Sequence, residues 1–208
     1  MEKSDNTKNL ALLANNEINV SVLEVAAEGV RVKLWPNADA VRAHLEEATA
    51  RLPGGLKGYS VRHYVCGRYL YCAIALGDIT KDAPCPASYQ VNTDSYLNEA
   101  EGSLVAAAAE WSIGKGVLAL PPLRISKDRV QINPVAGRDG KTIHHYTLPD
   151  RLTVADIRYN DDYSVAAVQL RKASDGGLIE CRQSDCPPCG VVYPQRAAKR
   201  QRDGWTDH

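Results

Sequence analysis

The segment from about Asp94 to Trp111 carries the longest helical pattern of the sequence. Its apolar residues recur at spacings of three and four, at Leu97, Ala100, Leu104, Ala108 and Trp111. Such spacing places them on one face of a helix. The alanines at 106–109 allow another backbone to approach that face closely. A helix whose apolar face consists largely of small residues needs a sheet or a second helix to cover that face. This requirement constrains the fold of the whole chain.

Strand patterns lie on both sides of this helix. Val30, Val32 and Leu34 alternate with Arg31 and Lys33, which predicts a half-buried strand. A helix is predicted next, with Asn37 as its N-cap and an apolar stripe that ends before the glycines at 54–55. Residues 59–76 then predict a hairpin around Gly67, with Leu70, Cys72, Ile74 and Leu76 on one face and Tyr69, Tyr71, Ala73 and Ala75 on the other.

The remaining strands complete an α+β class with an antiparallel sheet. A third strand is expected at 87–91, after a loop at 81–86, and the pattern returns to strands after the helix, at 129–132, 142–147, 152–159, 165–170 and 177–181. The predicted architecture is an antiparallel β-meander packed on the long alanine-rich helix, with additional C-terminal strands. No internal repeat is visible in the sequence.

The chain of 208 residues, 44% of them hydrophobic, is long enough for one sizeable core. We expect residues 1–16, which are polar and Asn-rich, to form a mobile N-terminal arm, residues 17–182 to form one domain, and residues 183–208 to form a Cys-, Pro- and Arg-rich tail. No stretch approaches the roughly 18–20 consecutive apolar residues of a membrane span. The first residues lack the pattern of a signal peptide, so we expect a cytoplasmic protein without a membrane partner.

Motifs for catalysis are incomplete. Gly140-Lys141-Thr142 lacks the glycine five residues earlier that a phosphate-binding loop needs, because Val135 stands there. Adjacent strand residues point to opposite faces, so His144 and His145 are not expected to act as a facing metal pair. Cys66 and Cys72 have no Cys-His-acid series nearby and are expected to be buried, small apolar residues. We therefore expect no enzyme activity and no cofactor.

Three cysteines near the C-terminus are weak candidates for a metal site. Cys186 and Cys189 have the two-residue spacing of a zinc knuckle, and Cys181 precedes them. A closed zinc site needs four ligands, so the fourth would have to come from His208, from elsewhere in the fold or from a second chain. Reduced tail thiols are the simpler interpretation, and we expect no metal.

The most specific stretch runs from the alanines at 106–109 to Pro121. Trp111, Ser112, Ile113, Gly114 and Lys115, followed by an apolar stretch that closes on Leu120 and Pro121, resemble the helix end of the Rad-fifty-two/Sak group of single-strand annealing proteins. The order helix, three strands, long helix also resembles that group, and the resemblance covers about residues 28–182. It implies single-stranded DNA binding and strand annealing in DNA recombination and repair, by a homo-oligomeric ring or filament of phage or bacterial type. It implies neither nucleotide hydrolysis nor a cofactor.

The sequence departs from this group where phosphate binding is expected. Members often carry basic residues six and five positions before the aromatic residue and directly before it, where this chain has Val105, Ala106 and Glu110. Loss of positive charge weakens phosphate binding and its salt dependence together. The formal net charge is zero, from 25 basic and 25 acidic residues, so DNA binding would also need a local groove.

The candidate nucleic-acid-binding residues are basic and aromatic side chains of the hairpin and of the segment after the helix. They are Arg62, Tyr64, Arg68, Tyr69, Tyr71, Lys115, Arg124, Lys127 and Arg129. An isolated Arg or Lys on a strand is more often a solvated residue, and Tyr on a sheet more often packs. The alternative function is therefore a self-assembling, protein-interaction scaffold that keeps the fold without annealing DNA.

Overall fold

A computed structural model describes residues 11–50, 58–86, 96–138 and 140–182. The protein is a mixed α+β structure with antiparallel sheets, as predicted. The helices in these ranges are α1 (Ala38–Ala50), α2 (Tyr96–Glu110) and the short α3 (Lys115–Ala119). None of them is both long and apolar enough to cross a membrane.

The strands of the described residues form four antiparallel sheets. They are β1 (Ile18–Ala26), β2 (Gly29–Pro36), β3 (Ser60–Cys66), β4 (Tyr69–Leu76), β5 (Ile79–Pro84), β6 (Leu123–Ser126), β7 (Asn133–Ala136), β8 (Ile143–Thr147), β9 (Leu152–Tyr159), β10 (Val165–Lys172) and β11 (Leu178–Arg182). The strand orders are β1-β2-β6, β3-β4-β5, β7-β8 and β11-β10-β9.

Two apolar clusters hold these elements together. The first joins sheets β1-β2-β6 and β9-β10-β11, with Leu34, Leu123 and Leu170 almost completely buried. The second joins α1 and α2 to sheet β3-β4-β5, with Leu45, Ile74 and Leu104 buried. Helix α2 packs against β4, β5 and α1. The β3-β4 hairpin therefore packs on a different cluster from β6, which carries Arg124.

Helix α1 begins where the sequence predicts. The Asn37 side-chain oxygen accepts hydrogen bonds from the backbone N–H of Asp39 (2.8 Å) and of Ala40 (3.3 Å), as an N-cap does. Val41 and Leu45, four residues apart, are fully buried. The predicted end of this helix, near residues 53–55, lies outside the described residues.

The predicted N-terminal arm is wrong for residues 11–16. Leu13 is 2% exposed and belongs to the first apolar cluster. The Tyr159 hydroxyl accepts a hydrogen bond from the Leu13 N–H and donates one to the Leu13 carbonyl. The Asn15 side chain donates to the Ala155 carbonyl oxygen at 2.8 Å. The burial of Leu13 and the hydrogen bonds of Leu13 and Asn15 depend on β9, a strand far away in the sequence, so a short apolar run in a polar segment does not predict them. Residues 1–10 and 183–208 lie outside the described residues.

The third strand of the hairpin sheet is also misplaced in the sequence prediction. The expected loop at 81–86 lies largely in strand β5, which pairs with β4 from Leu76↔Ile79 to Tyr71↔Pro84. A tight turn at Gly77, with φ of 60°, brings the chain back at once. The prolines in this segment indicated a loop. Pro84, however, is the last residue of the strand, where a missing backbone N–H is tolerated.

Two further strand predictions have other outcomes. The expected strand at 87–91 lies outside the described residues. In place of the strand expected at 129–132, the structure has β6 before that segment and β7 after it.

Lys33 is a buried cation between the first sheet and α3. Its side chain is 6% exposed, and its Nζ donates hydrogen bonds to the carbonyls of Leu118 (2.8 Å) and Leu120. The Nζ also lies 5.4 Å from the Trp35 ring centroid. Burial lowers the pKa of Lys33 from 10.5 to about 8, because the charged form loses its hydration.

We expect Lys33 to make stability rise with pH between about 8 and about 10.5. In that window the unfolded chain binds more protons at this residue than the folded chain does, so the free energy of unfolding increases with pH. Chemical denaturation of the wild type and of Lys33→Met should show a difference between them that changes by roughly 2–3 kcal/mol from about pH 7 to about pH 10, at 1.36 kcal/mol for each pKa unit.

The comparison with Lys33→Met is needed because buried thiols oppose the effect. Burial raises the pKa of Cys72 and of Cys85 from 9.0 to about 11, so these thiols lower stability as pH rises through 9. They are present in both proteins and cancel in the difference. Lys115→Met, which removes an exposed lysine, should keep the wild-type profile. Parallel profiles for wild type and Lys33→Met would refute a lowered pKa.

Candidate nucleic-acid interface

The β3-β4 hairpin displays its aromatic residues on the face opposite α2. Leu70, Cys72 and Ile74 are buried toward the helices, whereas Tyr69 and Tyr71 alternate with them on the other face. Gly67, with φ of 62°, occupies the turn between the strands. The alternation predicted from the sequence is confirmed.

Three of the candidate residues form a ladder across this hairpin. Tyr64 pairs with Tyr71 in the strand register, and their rings stack at a centroid distance of 5.4 Å and an interplanar angle of 20°. The Arg62 guanidinium carbon lies 5.7 Å from the Tyr64 ring centroid. Arg62, Tyr64 and Tyr71 therefore form a continuous cation–aromatic–aromatic stack.

A second cation–aromatic pair lies at the turn. The Arg68 guanidinium carbon is 5.2 Å from the Tyr69 ring centroid, and Tyr69 is 36% exposed. We call the face formed by Arg62, Tyr64, Arg68, Tyr69 and Tyr71 the hairpin surface. It brings together five of the nine residues predicted from the sequence.

An acidic residue accompanies the hairpin surface. The Tyr64 hydroxyl donates a hydrogen bond to the Asp82 carboxylate on β5. This bond, with smaller contributions from desolvation and from the carboxylate charge, raises the pKa of Tyr64 to about 12. Tyr64 thus stays a neutral donor at physiological pH, and Asp82 fixes the orientation of its ring in the ladder.

The ladder limits which ring faces a ligand can use. The Tyr64 ring contacts both Arg62 and Tyr71, so it is less available to a nucleotide base than a ring with a single partner. Tyr69 and Tyr71 each have at most one open face, since the other carries Arg68 or Tyr64. The chemistry on offer is two guanidinium groups for phosphate and at most two ring faces for bases.

Three of the remaining basic candidates lie on or directly after a strand of another sheet. Arg124 is an exposed residue of β6, directly opposite Arg31 on β2, and Lys127 and Arg129 follow in the turn. Arg129 donates from Nη1 to the Glu180 carbonyl at 2.7 Å, which ties the turn to β11. The nine predicted residues therefore divide among the hairpin sheet, the start of the short helix α3 (Lys115) and the β6 segment, and they do not form one surface.

Arg31 is a basic neighbour that the sequence prediction left out. It lines a cleft of about 360 Å³ together with Arg124 and Ser126, but also with Glu24 and Glu28. Arg31 forms an ion pair with Glu24 at 3.0 Å. The two carboxylates offset the two guanidinium groups, so this cleft is a weaker phosphate site than its arginines alone indicate. The sequence signal for Arg31 was the alternation of basic with apolar residues in β2.

The motif that begins at Trp111 lies at the C-terminal end of α2. Ser112 N–H bonds to the Ala109 carbonyl and Ile113 N–H bonds to the Ala108 carbonyl, while Ser112 has a positive φ of 70°. This is a Schellman ending with serine at the left-handed position. Gly114, with φ of 63°, precedes α3, whose first residue is the exposed Lys115.

Two of the three positions where the resemblance leads us to expect basic residues are core positions in this fold. Val105 is fully buried and Ala106 is 8% exposed, both in the second apolar cluster. Glu110 is exposed at the end of α2. A basic residue at 105 or 106 would be desolvated in this fold. Positions 105 and 106 are therefore not available for contacts with a ligand on the surface.

The cysteine predictions have mixed outcomes. Cys72 is completely buried as expected, whereas Cys66 is exposed at the end of β3. Cys181 is 7% exposed in the first apolar cluster, and Cys186 and Cys189 lie outside the described residues. Among the described residues, no group of three or more His, Cys, Asp or Glu side chains is placed to hold a metal ion.

The prediction that His144 and His145 point apart is wrong. Their Nδ1 atoms lie 3.0 Å apart, and both side chains are exposed on β8. The strand register shifts here, because Val135 pairs with His145 but Ala136 pairs with Ile143. The alternation rule fails at such a bulge.

A scan of the chain against protein-family models finds no match, and neither a search of curated proteins nor a search of solved structures finds one.

Proposed function

We propose that this protein binds single-stranded DNA through the hairpin surface. The observation that carries the proposal is the Arg62–Tyr64–Tyr71 ladder on an exposed sheet face, with Arg68 and Tyr69 beside it. Guanidinium groups contact phosphates, and aromatic rings accept bases of any sequence. The binding needs neither catalysis nor a cofactor.

The stacked guanidinium groups are suited to this task. Arg62 and Arg68 make no ion pair within the described residues, so their charges are not offset by a bonded carboxylate. Stacking on tyrosine restricts each side chain before a ligand arrives, which lowers the entropy lost on binding. With a net charge of zero, the protein has little long-range attraction for DNA, so this local pair has to supply the affinity.

More specifically, we propose that the protein anneals DNA strands as a homo-oligomer, in DNA recombination and repair of phage or bacterial type. This proposal rests on the resemblance at the end of α2 and on the packing of α1 and α2 against sheet β3-β4-β5. In the described residues β3 and β5 are the outer strands of that sheet, and exposed Val61 and Val65 lie on β3. Edge strands of this kind pair with a second copy or need protection. Sedimentation at micromolar concentration should show species heavier than the 22.7 kDa chain.

Fluorescence anisotropy with a labelled poly-dT oligonucleotide tests DNA binding. We expect Arg62→Ala/Arg68→Ala to weaken binding by about tenfold or more, and to reduce the salt slope of log K by about 1.4, since each phosphate contact with a single strand contributes about 0.7. Tyr71→Ala should weaken binding with little change of slope, because a stacking contact releases no counterions.

Arg151→Ala/Arg171→Ala is the matched control. Both arginines are exposed, Arg151 before β9 and Arg171 in β10, so the variant removes the same charge from another sheet. Its affinity and slope should stay near those of the wild type. Equal losses in the two double variants would mean that net charge matters and the hairpin surface does not.

The alternative is a self-assembling, protein-interaction scaffold that does not anneal DNA. Two observations favour it. Val105 and Ala106 are core residues, and Tyr64 and Tyr71 already stack on each other, which leaves less ring surface for bases. Wild-type protein that sediments as an oligomer but shows no salt-dependent oligonucleotide binding would support the scaffold over the DNA-binding proposal.

A further inference from the structure

A β-bulge places two histidine side chains together on the surface of the β7-β8 sheet. His145 pairs with Val135 and Ile143 pairs with Ala136, so His144 is an extra residue in β8. Bulges re-aim side chains that would otherwise alternate between faces. Both histidines are exposed, so solvent and solutes reach them.

The two imidazoles meet through the same ring atom. Nδ1 of His144 lies 3.0 Å from Nδ1 of His145, with ring centroids 5.2 Å apart and the rings nearly perpendicular at 83°. One ring donates its N–H to the lone pair of the other. Neutral histidine exists in two tautomers, and the hydrogen bond selects a different one for each ring.

We propose that His144 and His145 form a two-imidazole site for a divalent transition metal, with Ni²⁺ or Cu²⁺ favoured over Zn²⁺. Imidazole nitrogens bind these metals at about 2.0–2.1 Å. Two nitrogens 3.0 Å apart then subtend about 90–95° at the metal. That angle suits neighbouring positions of a square-planar or octahedral ion, whereas tetrahedral Zn²⁺ needs a wider separation.

Metal binding needs a change of tautomer and a rotation of the rings, which turns the two Nδ1 lone pairs away from each other and toward a common point. The ring that donates its Nδ1 proton becomes the Nε2–H form, so both Nδ1 lone pairs are available and the total number of protons is unchanged. Both residues are exposed, so each Nε2–H can bond to water. Water fills the remaining coordination positions, which makes this an open site of modest affinity.

The site is separate from the proposed DNA-binding face. It lies on sheet β7-β8, whereas the hairpin surface lies on sheet β3-β4-β5. The thiols of Cys186 and Cys189 offer a different chemistry, because thiolates favour softer ions. Failure of either proposal leaves the other unaffected.

Calorimetric titration of the full-length chain with Ni²⁺, in a non-chelating buffer at mildly alkaline pH, tests the proposal. We expect one Ni²⁺ per chain, and we expect His144→Gln and His145→Gln each to weaken binding by about tenfold or more, because each removes one of two ligands. Both positions are exposed, so thermal melting should show that the variants keep the wild-type stability. Zn²⁺ should bind more weakly than Ni²⁺.

Cys186→Ser/Cys189→Ser and His208→Gln serve as controls for ligands in the C-terminal segment. Ni²⁺ affinity should be unchanged in both, and the wild-type complex should lack the near-ultraviolet charge-transfer band of a nickel–thiolate bond. Unchanged affinity in the two strand variants, or loss of binding in the cysteine variant, would overturn the assignment.

Discussion

Gly116→Ala should destabilise the fold by about 3 kcal/mol or more, at the upper end of the cost of overpacking. A Cβ added at Gly116 would overlap the backbone carbonyl oxygen of Tyr163. Helix propensity alone predicts the opposite sign, because alanine is better than glycine in a helix by about 1 kcal/mol. The substitution therefore separates a local preference from a tertiary contact.

The neighbouring backbone has little freedom to move aside. Tyr163 lies in the turn between β9 and β10, where Asn160 accepts its N–H and donates its own N–H to the Ser164 carbonyl. Tyr163 already has a positive φ of 66°. On the other side, Val117 of α3 is fully buried in the first apolar cluster. Neither the turn nor the helix can shift without opening packed or hydrogen-bonded structure.

Gly67→Ala is the matched control, measured by urea denaturation alongside Gly116→Ala. Gly67 has φ of 62° and open space where a Cβ would stand, so only the left-handed conformation costs energy, about 1–2 kcal/mol. The loss of stability in Gly116→Ala should be clearly larger than in Gly67→Ala. A Gly116→Ala protein as stable as the wild type would show that α3 and the β9-β10 turn are not in tight contact.

Trp111→Ala is the second large effect, with an expected loss of about 3 kcal/mol, the low end for a truncated core aromatic. Trp111 is partly buried against the second apolar cluster, and its indole N–H donates to the Ile74 carbonyl at 3.3 Å. The Lys81 Nζ lies 4.6 Å from the ring centroid and also donates to the Glu110 carbonyl at 2.7 Å. The residue therefore joins the end of α2 to two strands.

Two variants apportion this effect. Trp111→Phe keeps an aromatic ring and loses the indole hydrogen bond, so about 1 kcal/mol is expected. Lys81→Met keeps the tryptophan and removes the cation, which is worth about 0.5–1 kcal/mol at an exposed site. Urea denaturation of all three full-length proteins gives the ranking. A loss below about 1 kcal/mol in Trp111→Ala would place the ring outside the packed structure.

The sequence determined the features that depend on neighbours in the chain. The period-two pattern of β4 separates Leu70 and Ile74 from Tyr69 and Tyr71, since alternate side chains of a strand point to opposite faces. The N-cap at Asn37 depends on atoms two and three residues away. For the same reason the five residues of the hairpin surface could be predicted as a group.

Only the tertiary structure decided the features that depend on distant partners. Leu13 is buried because Tyr159 and the first apolar cluster surround it, and Arg124 is separated from the hairpin because β6 pairs with β2. The His144–His145 contact exists because an extra residue enters β8 opposite β7, a shift of register that a single-strand pattern does not contain. Val105 and Ala106 became core residues because α2 turns them toward sheet β3-β4-β5 and α1. At these positions pairing partners, register and burial are set by contacts between segments far apart in sequence, which local periodicity does not specify.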